Sequence, residues 1–155
     1  MRPVSTSFEF SRYTKMLTQK GKYAIKALVF LAERGELVKT QEIADEAHIP
    51  KKFLESILIE LKNHGFVSSR QGASGGYFLN KKPSEITLAD LHRIFEGPIA
   101  LLQCAALKFY KPCDDCTEGD ACHLRQAMIQ VRNQTLKTLE CLTIQKIVDG
   151  TDCTA

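Results

Sequence analysis

The sequence predicts a mainly α-helical fold with one small β-hairpin and a long helix near the C-terminus. Three observations lead to this class. Apolar residues recur at helical spacing in several segments of residues 16–97. Two short runs of β-forming residues flank the glycine-rich hexapeptide QGASGG. A long amphipathic stripe follows after residue 123. At 155 residues, the chain is expected to form one domain, or one domain with an appendage.

The first three predicted helices have recognisable start and stop signals. Thr18 is the predicted N-cap of the first helix, and Gly35 marks its end. Thr40 is the predicted cap of a short second helix, whose inward face carries Ile43, Ala44 and Ala47. Pro50 suits the first turn of a third helix that ends at Gly65. The residues of this third helix assigned mainly to the core are Phe53, Leu54, Ile57, Leu58 and Leu61.

Two short helices joined by a turn of a few residues are typical of a helix-turn-helix. The runs FVSSR and YFLN then predict a hairpin, and the combination predicts a winged helix-turn-helix domain. A small helical domain with an unrelated surface hairpin is the alternative. A fourth helix is expected to begin with a capping box formed by Thr87 and Asp90, and Gly97-Pro98 end it.

The C-terminal stripe predicts a helix of about twenty residues, followed by a short helix near Thr143–Val148 that folds back. Its apolar positions are Leu124, Met128, Val131, Thr135, Leu139 and Leu142. The apolar stripe of a helix this long in a short chain needs a surface to pack against, and a second subunit in a homodimer is the simplest one. The predicted divisions are 1–15, an N-terminal arm; 16–97, the winged domain; 98–123, a cysteine-rich sensor loop; and 124–155, the dimerisation helix and tail.

Composition and charge narrow the class of protein. No run of about 18 apolar residues and no secretory signal is present, which predicts a cytoplasmic protein without a membrane partner. Reduced cytoplasmic thiols argue against a disulfide framework for the six cysteines. The formal net charge is only +3, but five bases and no acid lie between Arg12 and Lys26, and four acids lie between Asp114 and Asp120. This asymmetry indicates a binding half and a sensing half.

The residues expected to contact double-stranded DNA lie in the third helix and in the hairpin. The first turns of a recognition helix meet base edges in the major groove, and the wing reaches the backbone or the minor groove. Two lysines at a helix N-terminus oppose the helix dipole, which favours a phosphate partner over a merely solvated helix start. The candidates are Lys51, Lys52, Glu55 and Ser56 in the helix and Arg70, Gln71 and Ser74 in the wing.

Four of the six cysteines lie between Cys104 and His123, a density that indicates a metal site, a cluster site or a thiol switch. Soft thiolates suit an iron–sulfur cluster or zinc, and the Cys113–Cys116 spacing is also found in zinc sites. Neighbouring thiols that oxidise to a disulfide are the third possibility. Cys141 is expected to be a buried helix residue and Cys153 a terminal thiol, both inert.

A small redox or iron–sulfur enzyme component is the rival interpretation from another class of function. No Ser/His/Asp set, HExxH motif or Walker motif is visible, and histidines are few. An electron carrier also has no use for a helix-turn-helix. The residues therefore favour a non-enzymatic DNA-binding regulator.

Three segments carry a family resemblance: MLTQKGKYAIKALVFLA, the stretch from QEIADEAHIPKKFLES to SSRQGASGGYFLN, and ITLADLHRIFEG with the cysteine loop. They resemble the Rrf2 family of bacterial winged-helix regulators over about residues 16–150. The resemblance implies a homodimeric transcription regulator that binds a palindromic operator and whose long helix forms the dimer interface. It also implies that some members sense an iron–sulfur cluster, nitric oxide or cysteine supply.

The resemblance implies that an iron–sulfur cluster, [2Fe-2S] or [4Fe-4S], would be held by three loop cysteines and a fourth ligand. Cys104 and Cys122 match the first and third family cysteines, and either Cys113 or Cys116 matches the second, so all four could be ligands. Some members use a histidine of the long helix or an acid of the first helix as the fourth ligand. Neither ligand residue has a counterpart in this sequence. Arg125 and Lys22 stand at about those positions.

Overall fold

The computed structural model describes residues 17–114 and 121–153. Its helices are α1 (Gln19–Arg34), α2 (Thr40–Glu46), α3 (Lys51–Asn63), α4 (Leu88–Phe95), α5 (His123–Cys141) and α6 (Ile144–Asp149). Strands β1 (Val67–Arg70) and β2 (Gly76–Leu79) form one antiparallel pair, and short 3-10 turns span Pro83–Glu85 and Gln103–Ala105. The mainly helical winged fold expected from the sequence is confirmed.

Helix α1 begins and ends where its sequence signals predict. The Thr18 hydroxyl accepts a hydrogen bond from the backbone N–H of Gly21 (3.2 Å), and Gly35 adopts the left-handed conformation with φ of 66°. The backbone N–H and the hydroxyl of Thr18 both donate to one carboxylate oxygen of Glu96, each at 2.8 Å. The start of α1 is thereby fixed to the residue that ends α4.

The core lies between α1, α2, α3 and the hairpin, and α4 and α6 close it from the other side. Helix α1 buries Ala24, Ala27, Leu28 and Leu31, and α3 buries four of its predicted core residues, Leu54, Ile57, Leu58 and Leu61. The largest fully buried side chains are Leu28, Leu31, Ile43, Leu54, Ile57, Leu58, Leu61, Val67, Ile86, Leu91 and Ile144. Such burial of branched apolar side chains is the main favourable contribution to the free energy of folding.

The hairpin is attached to the connection between α1 and α2. Val67 pairs with Leu79 and Arg70 with Gly76, while Tyr77 exchanges two backbone hydrogen bonds with Val38 (2.8 and 2.9 Å). A Cβ atom on Gly76 would lie 2.2 Å from the carbonyl oxygen of Val38, so only glycine permits this approach of the two backbones.

A second backbone junction joins the C-terminal part of the chain to the winged domain. The N–H of Leu88 donates to the carbonyl of Leu142 (2.8 Å), and the N–H of Ile144 donates to the carbonyl of Ile86 (2.9 Å). Thr143 caps α6 by accepting from the N–H of Lys146 (3.2 Å), and α6 packs against α1. The predicted short helix that folds back is therefore present.

Two sequence-based expectations about helix residues are wrong. Lys39, not Thr40, is the N-cap of α2, and the Lys39 side chain makes no capping hydrogen bond. The helix begins there because Val38, the preceding residue, is held in a β-bridge to Tyr77 of β2. Phe53 is 56% exposed rather than in the core, because it lies beside Leu54 on the outward face of α3. Its ring makes an edge contact with Tyr23 at 6.4 Å between centroids.

Helix α5 has 19 residues and no buried residue within the described chain. Leu124 and Val131 of its apolar stripe are 59% and 41% exposed. Within the described residues, no helix combines the length and apolar character needed to cross a membrane.

Leu58 and its neighbour Ile59 provide a test of the core. Leu58 is fully buried and Ile59 is 55% exposed on the same helix. We expect Leu58→Ala to lower the free energy of unfolding by about 2–5 kcal/mol, because it leaves a cavity. The matched Ile59→Ala should change it by less than about 0.5 kcal/mol. Urea denaturation followed by circular dichroism measures both, and equal losses would contradict the assigned orientation of α3.

Candidate DNA interface and thiol site

The turn between α2 and α3 sets the direction in which α3 leaves the core. His48 has a positive φ of 53°, and its ring Nδ1 lies 2.8 Å from the carbonyl oxygen of Asp45. The N–H of Ile49 donates to Ala44 (2.9 Å), and Ile49 itself is buried. Pro50 is the N-cap of α3, a position where its missing N–H costs no helical hydrogen bond. The turn is therefore fixed by local bonds and by a buried anchor.

The predicted base-reading residues lie on the exposed side of the first turns of α3. Lys51, Lys52, Glu55 and Ser56 are all exposed, and the opposite face is buried. Among the residues that the structure describes, neither lysine is in an ion pair. The Ser56 hydroxyl donates to the carbonyl of Phe53 (2.8 Å), so it is already engaged with its own helix.

The predicted wing residues lie at the end of β1 and in the hairpin tip. Arg70, Gln71 and Ser74 are exposed. Gly72 has a φ of 111°, and the N–H of Gly75 donates to its carbonyl (2.9 Å), so the tip is a closed turn. The hairpin is also tied to α3, because the Lys62 ammonium donates to the Ser69 hydroxyl at 2.7 Å.

Cys104 lies in the 3-10 turn between α4 and α5 and is only 5% exposed. Two arginines of α5 hold this turn. The Arg125 Nε–H donates to the carbonyl of Cys104 (2.8 Å), and Arg132 donates to the carbonyl of Ala105. Arg125 also stacks its guanidinium over the Tyr110 ring, 5.6 Å from the centroid. Sequence reasoning missed this role, although arginines seven residues apart share one helix face.

The structure brings Cys104 and Cys113 together. Their side-chain hydrogen bond, and next the burial of the sulfur, raise the pKa of the Cys104 thiol, while the charge of Arg125 acts in the opposite direction. Cys104 is therefore held as a neutral thiol more firmly than an exposed cysteine is. It would have to lose its proton on binding a metal.

The remaining loop cysteines are not assembled with this pair in the described residues. Cys122 is half-buried and is the N-cap of α5, without a side-chain capping bond. Cys116 lies outside the described residues. In residues 17–114 and 121–153, no group of three or more His, Cys, Asp or Glu side chains is placed to hold a metal. The proposed ligand set Cys104, Cys113, Cys116 and Cys122 thus remains a prediction.

The expectation that Cys141 and Cys153 are inert, unpaired thiols is wrong for this structure. They form a disulfide with a Cα–Cα separation of 5.9 Å. Cys141 is half-buried at the last position of α5, and the fold of α6 brings the tail back to it. Lys146 lies beside both sulfurs. The two cysteines are 12 residues apart with the whole of α6 between them, so the sequence contains no local pattern that predicts their pairing.

The sequence is similar to a family of known proteins along most of its length. Residues 17–150 match the family model Rrf2, described as iron-dependent transcriptional regulator. An rrf2-like HTH-type transcriptional regulator of Rhodobacter capsulatus is 40% identical over 138 residues, covering 86% of this chain and 92% of the relative. The HTH-type transcriptional regulator NsrR of Bacillus licheniformis is 30% identical over 138 residues, covering 88% and 94%.

Solved structures agree with the fold. The structure of CymR (YrzC), the global cysteine regulator of Bacillus subtilis, superposes with a TM-score of 0.71 at 27% identity. The match covers 88% of this chain and 98% of that one. The winged-helix architecture is therefore shared along nearly the whole chain.

Thiol reactivity tests the Cys104 environment in metal-free, reduced protein. The thiolate is the reactive form, so a raised pKa and burial should make Cys104 react with iodoacetamide several-fold more slowly than Cys113 near neutral pH. Its rate should keep rising as the pH passes about 8.5, the ordinary pKa of a free thiol. Cys113→Ala should speed the reaction at Cys104.

Mass spectrometry of the alkylated peptides measures these rates, with urea-unfolded protein as the control. If Cys104 reacted equally fast in folded and unfolded protein, the buried, hydrogen-bonded position assigned to it would be contradicted.

Proposed function

Because this chain belongs to the Rrf2 family of transcriptional regulators, we propose that it is a homodimeric DNA-binding regulator whose operator affinity depends on an iron–sulfur cluster in the cysteine loop. One observation carries the DNA-binding part. The buried face of α3 fixes the helix in the domain and leaves its first turns, with two lysines, exposed, while the hairpin follows the other end of the helix.

DNA contact starts from the N-terminal end of α3. Lys51 and Lys52 carry the positive charge that neutralises phosphates or donates to guanine, and Glu55 can accept from cytosine. Ser56 is the weakest candidate, since its hydroxyl is engaged with the carbonyl of Phe53. Exposure of Phe53 adds an apolar surface near the same turns, suited to a thymine methyl group.

The wing supplies a second contact with the duplex. Arg70, with Gln71 and Ser74 at the tip, is proposed to meet the phosphate backbone or the minor groove beside the recognition helix. The closed tip and the Lys62–Ser69 hydrogen bond support a fixed wing. A fixed position allows helix and wing to contact DNA together without a large ordering cost.

We propose that α5 packs against a second copy of the chain. The helix buries nothing within the described chain, and Leu124 and Val131 lie exposed on it. Further exposed apolar side chains belong to the cysteine loop: Leu101, Leu107, Phe109 and Tyr110. A two-fold dimer through α5 would place two recognition helices on a palindromic operator, whose half-sites lie about 34–36 Å apart.

The donor set of the loop fits an iron–sulfur cluster chemically. Cys104, Cys113, Cys116 and Cys122 would hold it through thiolates, and the contact between Cys104 and Cys113 supports their sharing one site. When bound, the cluster would supply a redox- and ligand-sensitive group with strong bonds to four sulfurs. His123 and Arg125 are not needed as ligands, and Arg125 is engaged with the carbonyl of Cys104.

Coupling to DNA would pass through the residues that hold the loop. Arg125 and Arg132 fix the Cys104 turn on α5, and Cys122 stands at the start of that helix. Drawing Cys122 toward Cys104 would change how α5 begins. A signal acts on DNA affinity only through its differential affinity for the two arrangements.

A metal-free thiol switch is the second candidate, and the Cys104–Cys113 contact favours it. Two thiols in hydrogen-bonding contact need little motion to form a disulfide. CymR of Bacillus subtilis, whose solved structure is similar to this one, is a global cysteine regulator. A zinc site on the same four cysteines is the third possibility, and metal content separates it from the other two.

Salt-dependent DNA binding tests the role of α3. Lys51→Gln and Lys52→Gln should each weaken binding and lower the slope of log K against log salt by about one, because each removes a phosphate contact. Lys137→Gln, an exposed lysine of α5, is the charge-matched control and should change neither. Fluorescence anisotropy with selected operator fragments provides the measurement. Unchanged slopes in both α3 variants would remove these lysines from the interface.

Sedimentation velocity tests the dimer. Leu124→Asp with Val131→Asp should shift the protein to a monomer at micromolar concentration, since charged groups replace the apolar contact. Lys137→Asp on the same helix is the control and should leave the dimer intact. Wild-type protein that sediments as a monomer at these concentrations would refute the proposed packing of α5 against a second copy.

Anaerobic purification tests the cluster. The protein should be coloured and contain iron and acid-labile sulfide, and Cys104→Ala and Cys122→Ala should each abolish the visible absorbance. Cys141→Ala, outside the loop, should retain it. Colour that survives in both loop variants would exclude these residues as ligands, and zinc or no metal in wild-type protein would favour one of the other two candidates.

A further inference from the structure

Cys141 and Cys153 lie apart from the cysteine loop and are paired across α6. Cys141 is the last residue of α5, and Cys153 follows the left-handed Gly150 that ends α6. Both residues are half-buried rather than fully buried. Their Cα atoms are 5.9 Å apart, a separation ordinary for a disulfide. The return of α6 therefore holds the two cysteines at a distance that suits a disulfide.

Lys146 gives this pair a chemical environment. It lies on α6, and its ammonium is 3.0 Å from the sulfur of Cys141 and 3.7 Å from that of Cys153. A positive charge next to a sulfur favours the thiolate, which is the nucleophile in thiol–disulfide exchange. Lys146 is held in place, because its own N–H is bonded to the Thr143 hydroxyl that caps α6.

We propose that Cys141 and Cys153 form a second thiol site, which reacts reversibly with low-molecular-weight disulfides. This inference goes beyond the proposed cluster and DNA binding and does not depend on either. Cys141 is the attacking residue because its sulfur is nearer to the Lys146 ammonium. Cys153 is the resolving residue, and Lys146 is a positioning residue.

The reaction has two exchange steps. The Cys141 thiolate attacks one sulfur of RSSR, so a protein–SR bond forms, the RS–SR bond breaks and RS⁻ leaves. Cys153 then loses its proton to solvent and attacks the sulfur of Cys141. The intramolecular disulfide forms and a second RS⁻ leaves. Two protein thiols are oxidised by two electrons, and RSSR is reduced to two RSH after protonation.

Oxidation would close a covalent loop around α6. This helix packs on α1, and its first residue, Ile144, is fully buried and bonded to Ile86. The disulfide ties the tail after α6 to the end of α5, so it restrains the segment that connects the long helix to the winged domain. The disulfide also restricts the unfolded chain, and oxidised protein should melt roughly 5–10 °C above reduced protein.

Peptide mapping after redox equilibration tests the pairing. Whole reduced protein is incubated with oxidised glutathione as the probe disulfide, quenched with acid, and digested with trypsin without reductant. Cleavage after Lys146 places Cys141 and Cys153 on separate peptides, residues 138–146 and 147–155, which stay joined only by their disulfide. The joined pair should dominate and should disappear with dithiothreitol.

Single-cysteine variants test the order of the steps. In Cys153→Ser, glutathione should accumulate as a mixed disulfide on Cys141. In Cys141→Ser, modification of Cys153 should be several-fold slower. The loop cysteines fall on other tryptic peptides, which carry residue 104 or residues 113–122, so their reactions are scored separately. Faster modification of Cys153 than of Cys141 would overturn the assigned roles.

Charge variants test Lys146. Lys146→Gln should slow mixed-disulfide formation on Cys141 in the Cys153→Ser background by roughly threefold, because loss of the positive charge lowers the thiolate fraction more than it raises the intrinsic nucleophilicity of the thiolate. Lys146→Arg should restore the rate, which a merely structural role would not require. Lys137→Gln, a lysine without contact to the pair among the described residues, should have no effect.

Three results would overturn the proposal itself. They are a dominant disulfide between Cys141 or Cys153 and a loop cysteine, equal melting temperatures of oxidised and reduced protein, and no joined peptide after exposure to oxidised glutathione. Failure of the cluster or of DNA binding leaves these readouts unchanged, because they are taken on metal-free protein without DNA.

Discussion

Two backbone hydrogen bonds between the Ile86–Leu88 segment and the Leu142–Ile144 segment connect the two parts of the molecule. They are 2.8 and 2.9 Å long, and fully buried Ile86 and Ile144 lie beside them. Before this junction the chain forms the winged domain, and after α5 the chain returns to that domain here and through α6. Elsewhere, α5 is attached through its contacts with α4 and with the 3-10 turn at Gln103–Ala105, including an ion pair between Arg93 and Glu140 (3.3 Å). The orientation of α5, and of any partner packed on it, depends on this junction.

The thiol loop lies at the opposite end of α5 from this junction. Arg125 and Arg132 hold the carbonyls of Cys104 and Ala105 from the first half of the helix, and the junction holds its last residues. Under the proposed function, a change at the loop would be transmitted along α5, whose far end is fixed to the winged domain. This geometry supports sensing by reorientation of α5, because a helix held at both ends cannot absorb a displacement by fraying.

Local signals predicted most of the fold from the sequence. Thr18 and Gly35 are helix ends set by their own hydrogen-bonding and backbone preferences, and they are where those preferences place them. The errors have a tertiary cause. Thr40 is not the N-cap because the β-bridge of Val38 determines where α2 starts. Phe53 is exposed although Leu54 beside it is buried, because periodicity alone does not decide which of two neighbouring apolar residues faces the core. Neither cause is visible in a local window.

The site was predictable in composition but not in arrangement. Cysteine density identified the loop, yet the burial of Cys104 and its contact with Cys113 follow from the arginines of α5, which are distant in sequence. The pairing of Cys141 with Cys153 follows from the return of α6 onto α1, so no spacing rule reveals it. By contrast, the exposure of Lys51 and Lys52 follows directly from the amphipathic pattern of α3.

The close contact of Gly76 with Val38 has a consequence for how such proteins diverge. Since the two backbones touch, β2 is positioned by the short connection between α1 and α2 rather than by the hairpin alone. An insertion or deletion in residues 35–39 would shift the hairpin relative to α3. Under the proposed function, the position of the wing relative to the recognition helix would therefore depend on the length of this five-residue connection.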